Sequence, residues 1–523
     1  MAICTTCRRT LPQKLAIPTT PVPELLRTYH PPSTSQINSI QQVISDADST
    51  LDALDNKILK LEDMLDDLRR RRVALDNFKQ AHQAILSPMR RLPPEIIGDI
   101  FSLCLHNRWQ DRVFESREAP LLLSQVCTGW RGIALSNSRL WSTVSLFLQD
   151  SISESELALV RTWLARAGEH PLSIRLVDPW ERVTHPVIDL ISSCSDRWQH
   201  VELCVAQSHF ENLHSGVPIL ESVKFLVVGS AMWTQPMNAF LMAPRLHSLH
   251  FDFPISPSVM QLPWTQITEL HIGALHLDEC LDIFQRSPNL VRCELGITSW
   301  NHVESTPPPP TCQILLSRLH FLRINMGDLL DYLILPALID VHFEQYGMQW
   351  STKWMDQLIS LQRRSSCAIE KLHLGADRRI SDDNLIRCLQ NVPSLITLEL
   401  GGYRASNLGK RAMIQLTHRV SSSQDSACVV PNLRTVKLQY DNNSLFNDTA
   451  FVEMVASRWD LSAAAVDAQV ARLKTVQVSI FHYSPIDVDS ESLRRLRVFR
   501  DEGLNISLRN ECLNLSLLPD MET

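Results

Sequence analysis

Glycine is scarce in this chain: 15 residues in 523, and none before Gly98. Loops that cradle phosphate need glycine so that backbone N–H groups can close on the anion. No G-x-x-x-x-G-K-[ST] loop, G-x-G-x-x-G turn, G-x-S-x-G elbow or H-E-x-x-H helix occurs, so no enzyme activity is expected. The nearest approach to a catalytic grouping is His276-Leu277-Asp278-Glu279-Cys280. Its contiguity at a predicted helix start makes Asp278 and Glu279 charges that suit the helix N-terminus rather than parts of a working site. No run of about 18 apolar residues exists, so no membrane span is expected. Lys and Arg (50) do not exceed Asp and Glu (57), and the net charge is -7. That lack of a dense basic surface argues against sequence-independent nucleic-acid binding. MAICTTCRRTLPQK has no apolar core, so no signal peptide is expected. The 13 cysteines are scattered, mostly in apolar segments, which suits free thiols in a reducing cytosol or nucleus. Cys4-Thr5-Thr6-Cys7 has the spacing of half a zinc knuckle, but no second pair follows. Neither metal nor cofactor is expected.

What is present falls into four segments. Residues 1–35 hold Pro12, Pro18, Pro21, Pro23, Pro31 and Pro32 among Ser and Thr, a composition expected to stay disordered. Residues 36–87 are predicted to be one coiled-coil helix. Ile37, Ile40, Ile44, Ala47, Leu51, Leu54, Ile58, Leu61, Leu65, Leu68, Arg72 and Leu75 follow a strict 3-4 spacing, with only Arg72 breaking the apolar series. Such a stripe needs a partner, since each buried side chain is worth about 1.5–3 kcal/mol. A second copy of the chain, paired through residues 37–86, is the simplest one; packing against the chain's own C-terminal domain is the alternative.

Residues 88–146 read as a small helical module. LPPEIIGDIFSLCL gives one short, very apolar helix, with proline and Glu95 suited to its first turn. A charged insert, Asn107 to Ala119, separates it from a second stripe of Leu121, Leu122, Leu123, Val126, Cys127 and Trp130. Ile133, Ala134, Leu140 and Trp141 form a third element. The module has more apolar surface than its size can bury, which usually marks an interface.

From residue 150 to 523 a hexad Φ-x-x-Φ-x-Φ (Φ apolar) recurs, with starts at Trp198, Leu220, Leu246, Ile267, Leu290, Leu319, Leu338, Ile369, Leu395, Leu433, Leu473 and Leu493. Amphipathic stretches such as DECLDIFQRSP, TKWMDQLISLQRR and DDNLIRCLQNVP lie between hexads. One strand plus one helix per repeat predicts an α/β solenoid, which resembles an irregular leucine-rich repeat lacking the family's asparagine ladder. The hexad position between the last two Φ residues forms a polar column: Glu202, Lys224, His250, His271, Glu294, Arg323, His342, His373, Glu399, Lys437, Gln477 and Arg497. Strand alternation puts it on the exposed sheet face. In a leucine-rich-repeat horseshoe that face is concave, and His250, His271, Glu294, Arg323, His342, His373 and Glu399 are the candidates for binding a target protein.

L-P-x-E-I-I, then V-C-x-x-W-R, then L-W also resembles the F-box over about 50 residues. The heptad helix leading into RRLPPEII, with LLLSQVC and LWSTVSL, is similar to fungal F-box proteins. Thr128-Gly129 stands where a basic residue is frequent before the tryptophan. The resemblance implies docking on a Skp-type adaptor of a cullin–RING ubiquitin ligase through Leu92, Pro93, Ile96, Ile100, Leu122, Val126, Cys127 and Trp130. The expected function is therefore a substrate receptor of an SCF-type ligase, with the cullin scaffold and an unknown target protein as further partners. The alternative is a leucine-rich-repeat scaffold unrelated to ubiquitin, with the F-box-like helices packed internally.

Overall fold

The structure, a computed structural model, describes residues 17–105, 118–148, 153–178, 186–205, 216–226, 236–252, 257, 259–298, 313–345, 353–376, 380–401, 408–418, 428–440, 446–460, 470–481, 488–513 and 515–518. Cys4 and Cys7, and all but the last two residues of the 107–119 insert, lie outside these. The chain divides into two compact units, residues 1–97 and 98–523.

The first unit is dominated by one helix, α1 (Thr34–Ile85). It starts two residues before the segment read from the heptads because Ser33 caps it: the Ser33 hydroxyl accepts from the Gln36 N–H while the Gln36 amide oxygen accepts from the Ser33 N–H. Absence of Gly and Pro lets it run 52 residues, and Pro88 opens a separate 3-10 turn, Pro88–Arg91. No residue of α1 is buried. Ile37, Ile44, Leu51, Ile58, Leu61, Leu65, Leu68 and Leu75 are all exposed.

Helix α2 (Pro94–Leu103) crosses from the first unit into the second. Two short helices follow, α3 (Leu121–Val126) and α4 (Thr128–Ser136), then a 3-10 turn at Ser138–Trp141. The single stripe expected from Leu121 to Trp130 is therefore broken. Cys127 is extended (φ -159°, ψ 171°) and its thiol accepts from the Trp130 N–H, so it caps a new helix instead of continuing the old one.

The rest of the second unit is a large, mostly parallel sheet whose strands alternate with helices. In chain order come β1 (Thr143–Phe147), α5 (Glu154–Ala167), β2 (Leu172–Val177), α6 (Pro186–Ser192), β3 (Trp198–Cys204), β4 (Ser222–Phe225), β5 (Ser248–Phe251), β6 (Glu269–Leu275), α7 (Leu277–Arg286) and β7 (Arg292–Ile297). They are followed by β8 (Ile314–Leu315), β9 (Phe321–Ile324), β10 (Leu333–Ile334), β11 (Asp340–Gln345), α8 (Lys353–Ser365), β12 (Lys371–Ala376), α9 (Asp382–Gln390) and β13 (Thr397–Gly401). Last are α10 (Lys410–Leu416), β14 (Thr435–Tyr440), α11 (Asp448–Trp459), β15 (Thr475–Ile480), α12 (Ser490–Asp501), β16 (Asn505–Asn510) and β17 (Leu515–Ser516). Fifteen strands hydrogen-bond in sequence order, β8 and β10 pairing separately. Every neighbouring pair is parallel until β17, which runs antiparallel to β16.

The hexads explain this. Their first apolar residue (Leu246, Ile267, Leu319, Ile369, Leu395, Leu433) is completely buried just before the strand, and the strand begins two residues later, as in β5, β9 and β13. Alternation then sends Leu249 and Phe251, or Leu398 and Leu400, into the core. The stretches DECLDIFQR, KWMDQLISLQRR and DDNLIRCLQ form α7, α8 and α9. Successive repeats are also tied by caps. The Asp382 carboxylate of α9 accepts from the N–H groups of Gly409, Arg411 and Ala412 at the start of α10, and Asp448 of α11 accepts from Asp489 ahead of α12. One expected strand is a helix: Leu493 to Val498 lies within α12. LRRLRV satisfies the helical period as well, and Asp489, accepting from the Ser492 N–H, starts the helix there. The strand is instead β16. Among the described residues no helix is long and apolar enough to cross a membrane.

Candidate functional site

In the second unit α2, α3 and α4 bury one side and leave another bare. Phe101 is buried and meets Trp130 edge-on with ring centroids 4.9 Å apart. The Asn137 amide donates to the Gly98 carbonyl at 3.2 Å, tying the turn after α4 to α2. Leu123, Ala134, Leu140 and Trp141 face inward. Outside are Leu103 (85% exposed), Leu122 (45%), Val126 (56%) and Leu135 (38%). Of the residues singled out from the sequence, Ile100 and Trp130 are half-buried, while Leu122, Val126 and Cys127 are exposed. In the first unit Leu92 is half-buried and Pro93 and Ile96 are exposed.

The polar column is the second surface. Glu202, Lys224, His250, His271, Glu294, Arg323, His342, His373, Glu399, Lys437 and Gln477 are direct register partners on consecutive strands from β3 to β15. Arg175 precedes Glu202 in the row and Ser507 follows Gln477. Arg497 does not belong: it sits on α12, and Ser507 holds its place. Strands about 4.8 Å apart make such a row a comb of closely spaced charges.

Most of its teeth are already engaged. Arg175 meets Glu202 at 3.0 Å. Glu294 takes His271 (3.1 Å), Arg292 (2.5 Å) and Arg323 (3.2 Å), and Arg323 also reaches Glu344. His342 meets Asp340 (3.0 Å), His373 lies between Glu344 and Glu399, and Lys437 closes on Glu399 at 3.2 Å. Partial burial pushes the Glu294 carboxyl up, but hydrogen bonds from Arg292, Arg323 and His271 outweigh it and hold it at about 2. Glu399 is held at about 2 as well, chiefly by the His373 hydrogen bond, against desolvation and with the Lys437 charge assisting. His250 and His271 stack face to face with ring centroids 3.9 Å apart; burial lowers the His250 pKa, despite the bond to Asp252. Sequence reasoning missed Asp340 and Glu344, which lie two residues to either side of His342 and so share its face; the period of two was the available signal. Lys224 and His250 also line an open cavity of about 600 Å³ with Arg139, His200 and Glu202.

No family model matches this chain, and no curated protein matches it.

The His276 to Cys280 grouping has no catalytic geometry. Glu279 accepts from the His276 N–H at 3.1 Å as part of the start of α7. Cys280 is fully buried, and burial pushes its thiol pKa far up, which removes the thiolate a nucleophile requires. The two surfaces set out above are an exposed apolar helical face and a polar strand face.

Proposed function

We propose that this chain is a substrate receptor of an SCF-type cullin–RING ubiquitin ligase. Leu92, Pro93, Ile96, Ile100, Leu122, Val126, Cys127 and Trp130, the residues that match the F-box word order, each contact a Skp-type adaptor, and an irregular leucine-rich-repeat solenoid presents the His250 to Glu399 comb to a target protein. The observation that carries the reading is the bare apolar side chains of Leu103, Leu122 and Val126, lying within the L-P-x-E-I-I…V-C-x-x-W-R word order. Apolar area of this kind stabilises a complex by about 25 cal/mol per Å² removed from water. The chain supplies no reacting group; it raises the effective concentration of the target beside the ubiquitin-loaded enzyme, in cytosol or nucleus. Charge pairs along the comb give specificity, since a target must offer a matching alternation to replace contacts already made.

The test is co-purification of the full chain with a Skp-type adaptor. Wild type is expected to retain it, and Leu122→Asp with Val126→Asp to lose it while the thermal unfolding profile stays unchanged. Failure of the wild-type chain to bind adaptor overturns the proposal and favours the ubiquitin-independent scaffold.

A further inference from the structure

The polar face brings two imidazoles and a carboxylate to one point. His250 and Asp252 are two residues apart along an extended segment, so both side chains emerge on the same side. The ladder continues through Asp252, whose N–H donates to the Phe225 carbonyl at 3.1 Å. His271 lies directly opposite His250 on β6. One nitrogen of each ring and a carboxylate oxygen of Asp252 all lie within 4.8 Å of one another. No other trio of His, Cys, Asp or Glu converges in this way among the described residues. His342 and His373 also stack, at 4.9 Å, but among the described residues no carboxylate beside them brings its oxygen close to a nitrogen of both rings in the same way.

We propose that His250, Asp252 and His271 bind a divalent transition ion of the zinc type. Two imidazole nitrogens and one carboxylate oxygen are the donor set such an ion takes, with water in the remaining position. The surroundings favour it. His271 Nδ1 lies 3.1 Å from Glu294 Oε2. With the Nδ1 proton directed at that carboxylate, Nε2 carries the lone pair, and the ring is oriented from behind as metal-bound histidines commonly are. Glu294 is itself fixed by Arg292 and Arg323.

Coordination needs a small rearrangement. Metal bonds of about 2.0–2.2 Å place ligand atoms roughly 3.3 Å apart, so His250 Nε2 and Asp252 Oδ1, now 2.5 Å apart, must open by about 0.8 Å, and no donor pair has to close by more than about 1.5 Å. The rings are parallel to within 2°, and a shared ion cannot lie in both planes; His250 therefore turns out of the stack toward Asp252. The hydrogen bond between His250 Nε2 and Asp252 Oδ1 is exchanged for two metal bonds; Nε2 gives up its proton while Nδ1 takes one from solvent, so the imidazole stays neutral. Lys224, the register partner of His250 on the other side, opposes the cation. Its removal must tighten binding, an outcome that structural damage does not produce.

The experiment is a titration of chelator-treated full-length protein with zinc chloride by calorimetry, paired with the visible absorption spectrum after cobalt(II) addition. A saturable event is expected that weakens at least tenfold in His271→Gln and Asp252→Asn and 10- to 100-fold in Glu294→Gln, is unaffected in His342→Gln, and tightens in Lys224→Met. Zinc held at Cys4 and Cys7 is unchanged in all of these variants and so does not enter the differences. Equal affinity and an equal cobalt spectrum in wild type, His271→Gln and Asp252→Asn overturn the proposal, as does a Lys224→Met variant that binds no more tightly.

Discussion

Arg458 offers the sharpest test of how this fold is held. It is completely buried, and among the described residues no carboxylate pairs with it. Its guanidinium instead donates to three carbonyls, Leu416 (2.7 Å), Val429 (2.7 Å) and Val430 (3.2 Å), and to the Cys428 thiol at 3.4 Å. One side chain thereby fastens the end of α10 and the 428–430 segment, where Val430 has φ 48°, to α11. Consider Arg458→Met, which keeps much of the apolar stem. Three charge-assisted bonds at about 1.5–3 kcal/mol each are lost, roughly 4–9 kcal/mol gross. Against this, a charge no longer sits away from water, a relief of several kcal/mol. The net expectation is a destabilisation of about 2–4 kcal/mol. In urea unfolding followed by circular dichroism, a slope of about 2 kcal/mol/M or more turns that into a midpoint lowered by about 1 M. A midpoint within about 0.2 M of wild type would refute the claim that these carbonyls depend on Arg458.

Two further expectations concern other parts of the chain. The eight exposed heptad side chains of α1 are expected to pair two copies, so light scattering should give twice the chain mass of 59.5 kDa, reverting to one copy in Leu61→Lys with Leu68→Lys; a monomeric wild type retires that pairing. Glu399 is held at about 2 against an ordinary 4.5, so its contacts stabilise the fold above pH 4.5 and are lost as pH falls toward 2. Glu399→Gln should cost about 1 kcal/mol at pH 6, a figure kept small because the carboxylate is one-third exposed and screened. That deficit should vanish near pH 2 in thermal melts, and a deficit equal at both pH values counts against the assignment.

The sheet was legible wherever local pattern and burial agree. In LHSLHF and LITLEL the first leucine, the alternation and the polar residue between the last two apolar ones name the buried anchor, the strand and the exposed row, because one sheet face must be dry and the other wet. LRRLRV defeated that reading since its spacing satisfies both periods, and the deciding group, Asp489, lies outside the hexad. The break at Cys127 was equally hidden: a thiol serving as helix cap has no common sequence signal. At the candidate surfaces, side-chain types and the row from Glu202 to Gln477 came from sequence alone, whereas its ends, Arg175 and Ser507, did not. Nor did the pairing. Arg323 between Glu294 and Glu344, or Asp252 reaching back to His250, depends on rotamers and on which strands are neighbours. Arg458 reads in the sequence as an ordinary helical arginine.

Each strand of the main sheet is bonded only to the strands nearest in sequence, with β9 following β7 and β11 following β9 across the small β8–β10 pair. No contact within it requires the far ends of the chain to find each other, so the loops closed during folding stay short and their entropic cost grows little with chain length. Order can then spread from any well-packed pair outward in both directions. Amide exchange should accordingly fall off in steps toward the terminal strands, and a lesion such as Arg458→Met should loosen its own neighbourhood well before it reaches β1.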